Sequence, residues 1–404
     1  MNFIFKILKN IPDLILNFLF IPIWHFCGFF KRDRNLWIFV SWFGQKYSDS
    51  SRILFEYAQR NCPNIRAVWI SRDKKIVQHL RQNGFESYSA KSARALFLSS
   101  RASKLFSTTG YEMFYGFTKG IAFYELWHGM PLKKILNDDE FSGGTMRKNI
   151  LSKILYKINQ KFFVWKTITT LPNVYTFSNA RFFNQFLQTA FSLPEGKILN
   201  FGLPRNDALF YKREEKLIKE IKEKYPNCKI LLYMPTFRTS AWTKKVFDPF
   251  SNDFLFDEEK LHETLVRKNV VFVYKPHFYD LQFVNRKNAS DRFFMIKEDD
   301  FGELYNFAGQ ADILMTDYSS IYFDFILTRK PVILAPFDFE EYVTTCRSHY
   351  FDYSELEGVR AENWNEVLKI IENESYKKVP EEKIKQFAEF CDGNSCRKIV
   401  ERME

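Results

Sequence analysis

The sequence predicts an α/β protein of two successive Rossmann-like halves, each a parallel sheet with helices on both faces. Three observations carry this expectation. Short apolar runs alternate with segments of helical period along most of the chain, as repeated strand–helix–strand units do. The clearest unit is Ala311–Asp338, ADILMTDYSSIYFDFILTRKPVILAPFD. There the run Ile313–Met315 feeds a polar turn, a half-apolar helix to about Arg329, and the buried run VILA after Pro331. The length, 404 residues at 46% hydrophobic and 26% charged, is enough for two ordinary domains.

Residues 1–34 read as a helical, membrane-associating segment. From Ile11 to Phe30 only Asp13 carries a charge, while Lys6 and Lys9 precede the run and Lys31, Arg32 and Arg34 follow it. No small-x-small cleavage site follows, which argues against a signal peptide. Pro12, Asp13, Asn17 and Pro22 weaken a spanning helix. Attachment in the membrane interface is therefore the expectation, with a span or a buried helix as the alternatives. The basic flanks suit the anionic cytoplasmic face.

The first half, residues 35–204, reads as strands LWIFVSW (36–42), AVWIS (67–71), KLFST (104–108), IAFYELWH (121–128), VYTFS (174–178) and KILNFG (197–202). Helices SRILFEYAQRN, KKIVQHLRQN, ARALFLSSR and ARFFNQFLQTAF lie between them. No GxGxxG follows the first strand, so a dinucleotide fingerprint is absent. The fourth strand delivers His128-Gly129-Met130-Pro131-Leu132-Lys133-Lys134. Ligands collect at the carboxyl ends of strands in open α/β sheets. A lone histidine is more often a packing residue, but glycine permits close approach and two lysines supply charge for phosphate, so function is the expectation here. A basic helical insertion at about 137–170 interrupts the rhythm and fits either a membrane-surface helix or a solvated helix face. Gly202-Leu203-Pro204-Arg205-Asn206-Asp207 marks the crossing between halves, with Asp207 expected to cap the helix that follows.

The second half, residues 205–380, repeats the alternation. KILLYMPTFR ends in Arg238, VVFVYKPH ends in Lys275-Pro276-His277, and the Ala311–Asp338 unit presents Asp317, Ser319 and Ser320 at a helix start. Free backbone N–H groups and serine hydroxyls there suit a phosphate; a plain N-cap is the alternative. Residues 381–404 read as a terminal helix interrupted near Asp392-Gly393. Arg238, Lys275 with His277, Asp317 with the serines, and His128 thus all fall at strand ends. A net charge of +11 suits an anionic partner: a phosphorylated substrate, an anionic membrane face or nucleic acid. Against nucleic acid, there is no recognition-helix, RNP or zinc pattern. The six cysteines form no CxxC pair and read as free thiols.

Together WHGMPLKKI, GLPRND, YMPTFR, YKPH, and DILMTDYSSIYFDF followed by KPVILAPFD and Tyr342 resemble the CDP-glycerol glycerophosphotransferases of teichoic-acid and capsule synthesis. Gly44 with Ser48-Asp49, and Asp392-Gly393-Asn394-Ser395, extend the resemblance over nearly all the chain after residue 35. Met130 stands where the family usually has Thr, Leu203 where an aromatic is common, and Ser50 for a frequent Asn. None removes a charged or titratable group.

The resemblance implies a GT-B-like fold. An acceptor domain would face a nucleotide-donor domain across a cleft, at the cytoplasmic face of the bacterial inner membrane. It also implies transfer of glycerol phosphate from CDP-glycerol to a lipid-linked or polymer acceptor, with CMP released. Ribitol-phosphate or another polyol-phosphate transfer is the alternative. On this expectation His128 is the base for the acceptor hydroxyl. His277 serves the departing phosphate. Arg238, Lys275, Thr316 and the turn at Ser319 and Ser320 hold the donor. Asp317 orients them, and Gly129, Lys133, Arg205 and Asp338 complete the binding set. No Asp-x-Asp motif stands at a strand end, so no cofactor is expected and a divalent metal is not expected to be essential.

Overall fold

The computed structural model describes residues 22–109, 117–139, 173–211, 213–238, 247–277, 290–297 and 300–404. Two parallel sheets account for the strands. The first has seven, in the order β3-β2-β1-β4-β5-β6-β7. They are β1 (Asp33–Phe39), β2 (Arg66–Ser71), β3 (Ser87–Ser89), β4 (Ala102–Ser107), β5 (Ala122–Glu125), β6 (Val174–Phe177) and β7 (Ile198–Leu199). The second has six, in the order β10-β9-β8-β11-β12-β13. They are β8 (Lys229–Met234), β9 (Val270–Tyr274), β10 (Phe293–Met295), β11 (Ile313–Thr316), β12 (Val332–Leu334) and β13 (Val359–Arg360). Every pairing between these strands is parallel.

Parallel strands covered by helices are apolar on both faces, and the core shows this. Ile230 and Leu232 of β8, Val271 and Val273 of β9 and Leu314 of β11 join a core that continues into the first half. Their alternate neighbours Leu231, Tyr233, Phe272 and Met315 join a second core around Phe250 and Trp364. The first core runs from Leu36 to Val400, so the two halves share buried apolar surface.

The chain does not end in the second half. The helices Glu381–Ala388 and Ser395–Met403 flank the expected break at Gly393, and the last packs against the Asp49–Asn61 helix. Asp207 caps this final helix: its carboxylate accepts from the N–H groups of Ser395 at 2.9 Å and Cys396 at 2.8 Å. The expectation that it caps the next helix in sequence is corrected. Burial raises its pKa above the usual carboxylate range.

Edge strands β3 and β13 and the helices Phe339–Thr345 and Trp364–Glu372 were not anticipated. The helix of the Ala311–Asp338 unit ends at Arg329, as expected, but only its first part is α-helical. It is α-helical over Ile321–Phe325, tightens to a 3₁₀ turn over Ile326–Thr328 and stops at Arg329, whose φ is +57°. Among the described residues no helix is long and apolar enough to cross a membrane. The expected attachment segment up to residue 21, and the basic insertion from residue 140 on, lie outside the described residues.

Candidate functional site

His128 leaves β5 through a strained turn. Trp127 has φ +50° and Gly129 φ +130°. Glu125, fully buried at the end of β5, holds the turn: one carboxylate oxygen accepts from the Trp127 N–H at 2.9 Å and the other from the Ser107 hydroxyl at 3.1 Å. The His128 ring lies against the indoles of Trp127 and Trp42, at 4.1 and 5.4 Å between centroids. Its Nδ1 is 3.1 Å from the Thr108 carbonyl. A carbonyl only accepts, so Nδ1 carries the proton and Nε2 keeps its lone pair. Thr108 also accepts at its hydroxyl from the Trp42 N–H, tying the loop after β1 to the same corner. Burial lowers the His128 pKa to about 4, so the ring is neutral at pH 7.

In the second half the strand ends build a buried ion network. Arg238 donates to both oxygens of Asp338 at 2.8 and 3.0 Å and pairs with Asp317. Its guanidinium lies over Phe247, Tyr318 and Tyr342. Asp317 is fully buried and accepts from the Thr236 N–H at 2.8 Å and the Tyr318 N–H at 2.5 Å. The Thr316 hydroxyl donates to the Met234 carbonyl at 2.7 Å. The Ser319 hydroxyl accepts from the Ile321 N–H at a long 3.5 Å, and Ser320, at the N-cap position, makes no side-chain cap bond. Both serines are half-buried. Beside Arg238 an open pocket is lined by Phe247, Phe254, Asp338, Glu341 and Tyr342, among others.

The halves meet at Gly129. A Cβ there would stand 2.7 Å from the Ser320 Cβ and 2.6 Å from an Arg205 nitrogen, so only glycine lets the His128 turn approach the serine turn. Arg205, 1% exposed, pairs with Asp324 and lies 3.7 Å from Asp49. Its guanidinium covers the Tyr305 ring. Its charge is thus matched by protein carboxylates from both halves. Next to it, Leu132–Lys134 pairs antiparallel with Ser348–Tyr350, and the Tyr350 hydroxyl donates to Asp138 at 2.7 Å.

Lys133 stands 3.5 Å from the Thr236 hydroxyl. Burial lowers its pKa to about 7, with help from Arg347. His277 lies against Phe237. Burial, then the charges of Lys275, Lys133, Lys46 and His128, push its pKa down to about 3. Lys275 of the second half and Lys133, Lys46 and His128 of the first therefore lie near His277.

Four contributors escaped the sequence. Lys46 and Thr108 sit in loops without a motif, although each follows a strand end, which was the available signal. Glu125 hides in an apolar run. His349 packs among Tyr318, Phe339, Tyr342 and Tyr353, and its Nε2 is buried without a hydrogen-bond partner. Burial lowers its pKa to about 4. Met130, Leu203 and Ser50, the three departures from the family pattern, are all fully buried. Among the described residues no three His, Cys, Asp or Glu side chains gather as metal ligands.

Residues 24–404 match the profile of the CDP-glycerol:poly(glycerophosphate) glycerophosphotransferases. The chain is 26% identical over 412 residues to a teichoic acid poly(glycerol phosphate) polymerase of Bacillus spizizenii, covering 98% of this chain and 99% of the relative. It is 29% identical over 385 residues to a teichoic acid glycerol-phosphate transferase of Staphylococcus aureus, covering 91% and 92%. The solved structure of the wall teichoic acid polymerase TagF superposes with a TM-score of 0.71 at 21% identity, covering 100% of this chain and 97% of that one. That likeness extends the shared fold over the whole chain.

Proposed function

Because the chain belongs to the CDP-glycerol:poly(glycerophosphate) glycerophosphotransferase family, we propose that it transfers glycerol phosphate from CDP-glycerol to a hydroxyl of a membrane-linked acceptor or growing polymer, releasing CMP. One observation carries the assignment of the chemistry to this cleft: Lys133 of the first half stands 3.5 Å from the Thr236 hydroxyl of the second, where Gly129 meets the turn at Ser320. A diphosphate is the natural occupant of a gap with cations on both walls.

In the proposed reaction the acceptor oxygen attacks the glycerol-bearing phosphorus. A new O–P bond forms, the bond from that phosphorus to the bridging oxygen breaks, and CMP leaves with the electron pair. His128 Nε2 takes the hydroxyl proton. His277 gives a proton to the CMP phosphate. The donor's negative charge offsets the cations that help to lower the His277 pKa, so donor binding raises it. Lys275 and Lys133 neutralise the diphosphate, Arg238, already paired with Asp317 and Asp338, shapes the donor side, and the turn at Ser319 and Ser320 contributes its N–H and hydroxyl groups. Asp317 holds Arg238 and the Thr236 turn, and Thr316 pins the adjoining strand end. Gly129 gives the acceptor loop its close approach. Arg205 fixes the two halves rather than the substrate. Asp338, already shared with Arg238, lines the cavity beside Glu341 on the donor side.

No divalent ion is required in this scheme, so turnover survives chelation. Attachment is to the anionic cytoplasmic face of the membrane through residues 1–34, which absorbs the positive charge without nucleic acid. The test is CMP release from CDP-glycerol with a primed lipid acceptor, run beside CDP-ribitol. His128→Ala is expected to lose about 100- to 10,000-fold in kcat while still binding donor. His277→Ala is also expected to lose rate with donor bound. Near-normal turnover by His128→Ala would remove it as the base. Preference for CDP-ribitol would reassign the donor.

A further inference from the structure

We propose that the carboxyl edge of the first sheet carries an acceptor track: Trp42 takes the terminal polyol beside His128, and Lys46 and Arg72 take the phosphates behind it. The inference rests on the transfer proposed above and deepens it, from any hydroxyl acceptor to a chain whose end is already a polyol phosphate.

The first sheet has its own switch point. In the order β3-β2-β1-β4-β5-β6-β7 the direction of winding reverses between β1 and β4. Ligands of open α/β sheets lie outside the carboxyl ends of the strands at that point. Arg238, Lys275 and the serine turn lie at strand ends of the second sheet, which leaves this crevice to the other substrate. Its floor is the loop after β1, where Trp42, Phe43 and Gly44 have φ of +44°, +58° and +74° in succession. Two bulky residues in the left-handed region store strain that a plain connection would avoid, and such strain gathers at ligand sites. The loop is pinned from both sides. The Trp42 N–H donates to the Thr108 hydroxyl at 3.1 Å and the Phe43 N–H to the Thr109 hydroxyl at 3.2 Å. The Gly44 carbonyl accepts from the Arg72 N–H and the Ser71 hydroxyl, both at 2.7 Å.

The same loop serves the base. The Trp42 ring lies 5.4 Å from the His128 ring, and the Lys46 ammonium 5.1 Å from the centroid of the Trp42 ring. Thr108 joins loop and base, since its hydroxyl accepts from Trp42 and its carbonyl from His128 Nδ1. An indole beside the base offers an apolar face to the C–H side of a polyol while the hydroxyl meets Nε2. Trp42 and Lys46 are half-buried, and Arg72, which follows β2, is exposed. From β5, which delivers His128, to β2 is three strand spacings, about 14 Å, further than one glycerol reaches. Cations spread along that edge match a polyanion whose charge repeats, whereas a neutral sugar would leave them unused. Lys46 also lies near His277, so the track opens into the donor cleft.

The experiment is calorimetry of the full chain with a short synthetic oligo(glycerol phosphate), with glycerol as the neutral control, at low and high salt. It compares the wild type, Lys46→Gln/Arg72→Gln and Lys46→Arg/Arg72→Lys. The wild type is expected to bind the oligomer, more weakly at high salt. The glutamine variant should bind it at least about tenfold more weakly and with less dependence on salt, while the charge-conserving variant binds as the wild type does. Oligomer binding by the glutamine variant equal to that of the wild type would overturn the track. So would a loss of CDP affinity by the same factor, which would give the cations to the donor. Trp42→Leu should raise the acceptor KM in CMP release, and an unchanged KM would remove the indole from the track. A wild type that binds the oligomer through these residues but releases no CMP from CDP-glycerol would sink the transfer reading and leave the track. One that releases CMP while neither binding the oligomer nor preferring it to glycerol would do the reverse.

Discussion

At the residue scale the site depends on groups that do no chemistry. His128 is aimed by a turn that a buried carboxylate holds, and that carboxylate belongs to a residue with no motif around it. Removing it leaves the Trp127 N–H unpaired, which costs about 1–3 kcal/mol when buried, and frees a backbone that sits at φ +50°. Glu125→Ala is therefore expected to lower kcat at least tenfold with the KM for donor unchanged, because the base moves and the donor side does not. Glu125→Gln, which can still accept from Trp127, should recover most of the loss. A parallel rise in KM would show that the carboxylate supports the whole cleft instead. The strand-end rule made His128, His277, Arg238 and Lys275 legible in the sequence, since position and residue type coincide there. Glu125 and His349 were not legible: one is polar inside an apolar run, the other lies in a loop, and only three-dimensional packing reveals either. The same packing gives Arg205 a reason that its motif did not suggest, a carboxylate at each side.

At the element scale the strand–helix rhythm was legible wherever a strand is central and apolar. It failed at β3 and β13, the edge strands Ser87–Ser89 and Val359–Arg360, because these are short and largely polar, whereas the equally short β7 is apolar. The turns matter more than the strands for function. Gly129 is the point where the turn after β5 touches the turn after β11, and both its φ of +130° and the nearness of Ser320 require the missing side chain. Gly129→Ala is predicted to abolish turnover, by at least about 100-fold, while costing only about 1–3 kcal/mol of stability. CMP release together with a denaturation curve checks this; an active Gly129→Ala enzyme would mean the halves do not close on each other during turnover.

At the scale of the whole molecule the two halves are joined by charge as well as by core, since Arg205, paired with Asp324 of the second half, stands 3.7 Å from Asp49 of the first. The Arg205–Asp324 pair is buried at 1% and 0% exposure, with Asn206 donating to the same carboxylate at 2.7 Å. Asp324→Ala is expected to cost about 3–5 kcal/mol, because it strands a buried guanidinium, and urea titration measures it. The cleft between the halves should also make stability depend on pH. His128, His277 and His349 are held to about 4, 3 and 4, by burial first. In the unfolded chain they take up protons near 6.5; in the folded protein they do not until 3–4. Across that window the unfolded state binds more protons, so the histidines' contribution to stability is full above about pH 6.5 and is lost as pH drops towards 3–4. Glu303, pushed up to about 7 by burial, opposes this, as do Asp207 and Asp324, which burial also raises. The thermal midpoint should therefore fall between pH 7.5 and 5.5, and His277→Gln should flatten the slope. CDP adds the missing negative charge beside Lys275, Lys133 and Lys46, which raises the His277 pKa. Its binding should then draw a proton from solution and tighten as pH falls through 6. Calorimetry of CDP binding in buffers of different ionisation enthalpy reads that proton directly, and an uptake unchanged by His277→Gln would detach the ring from the diphosphate.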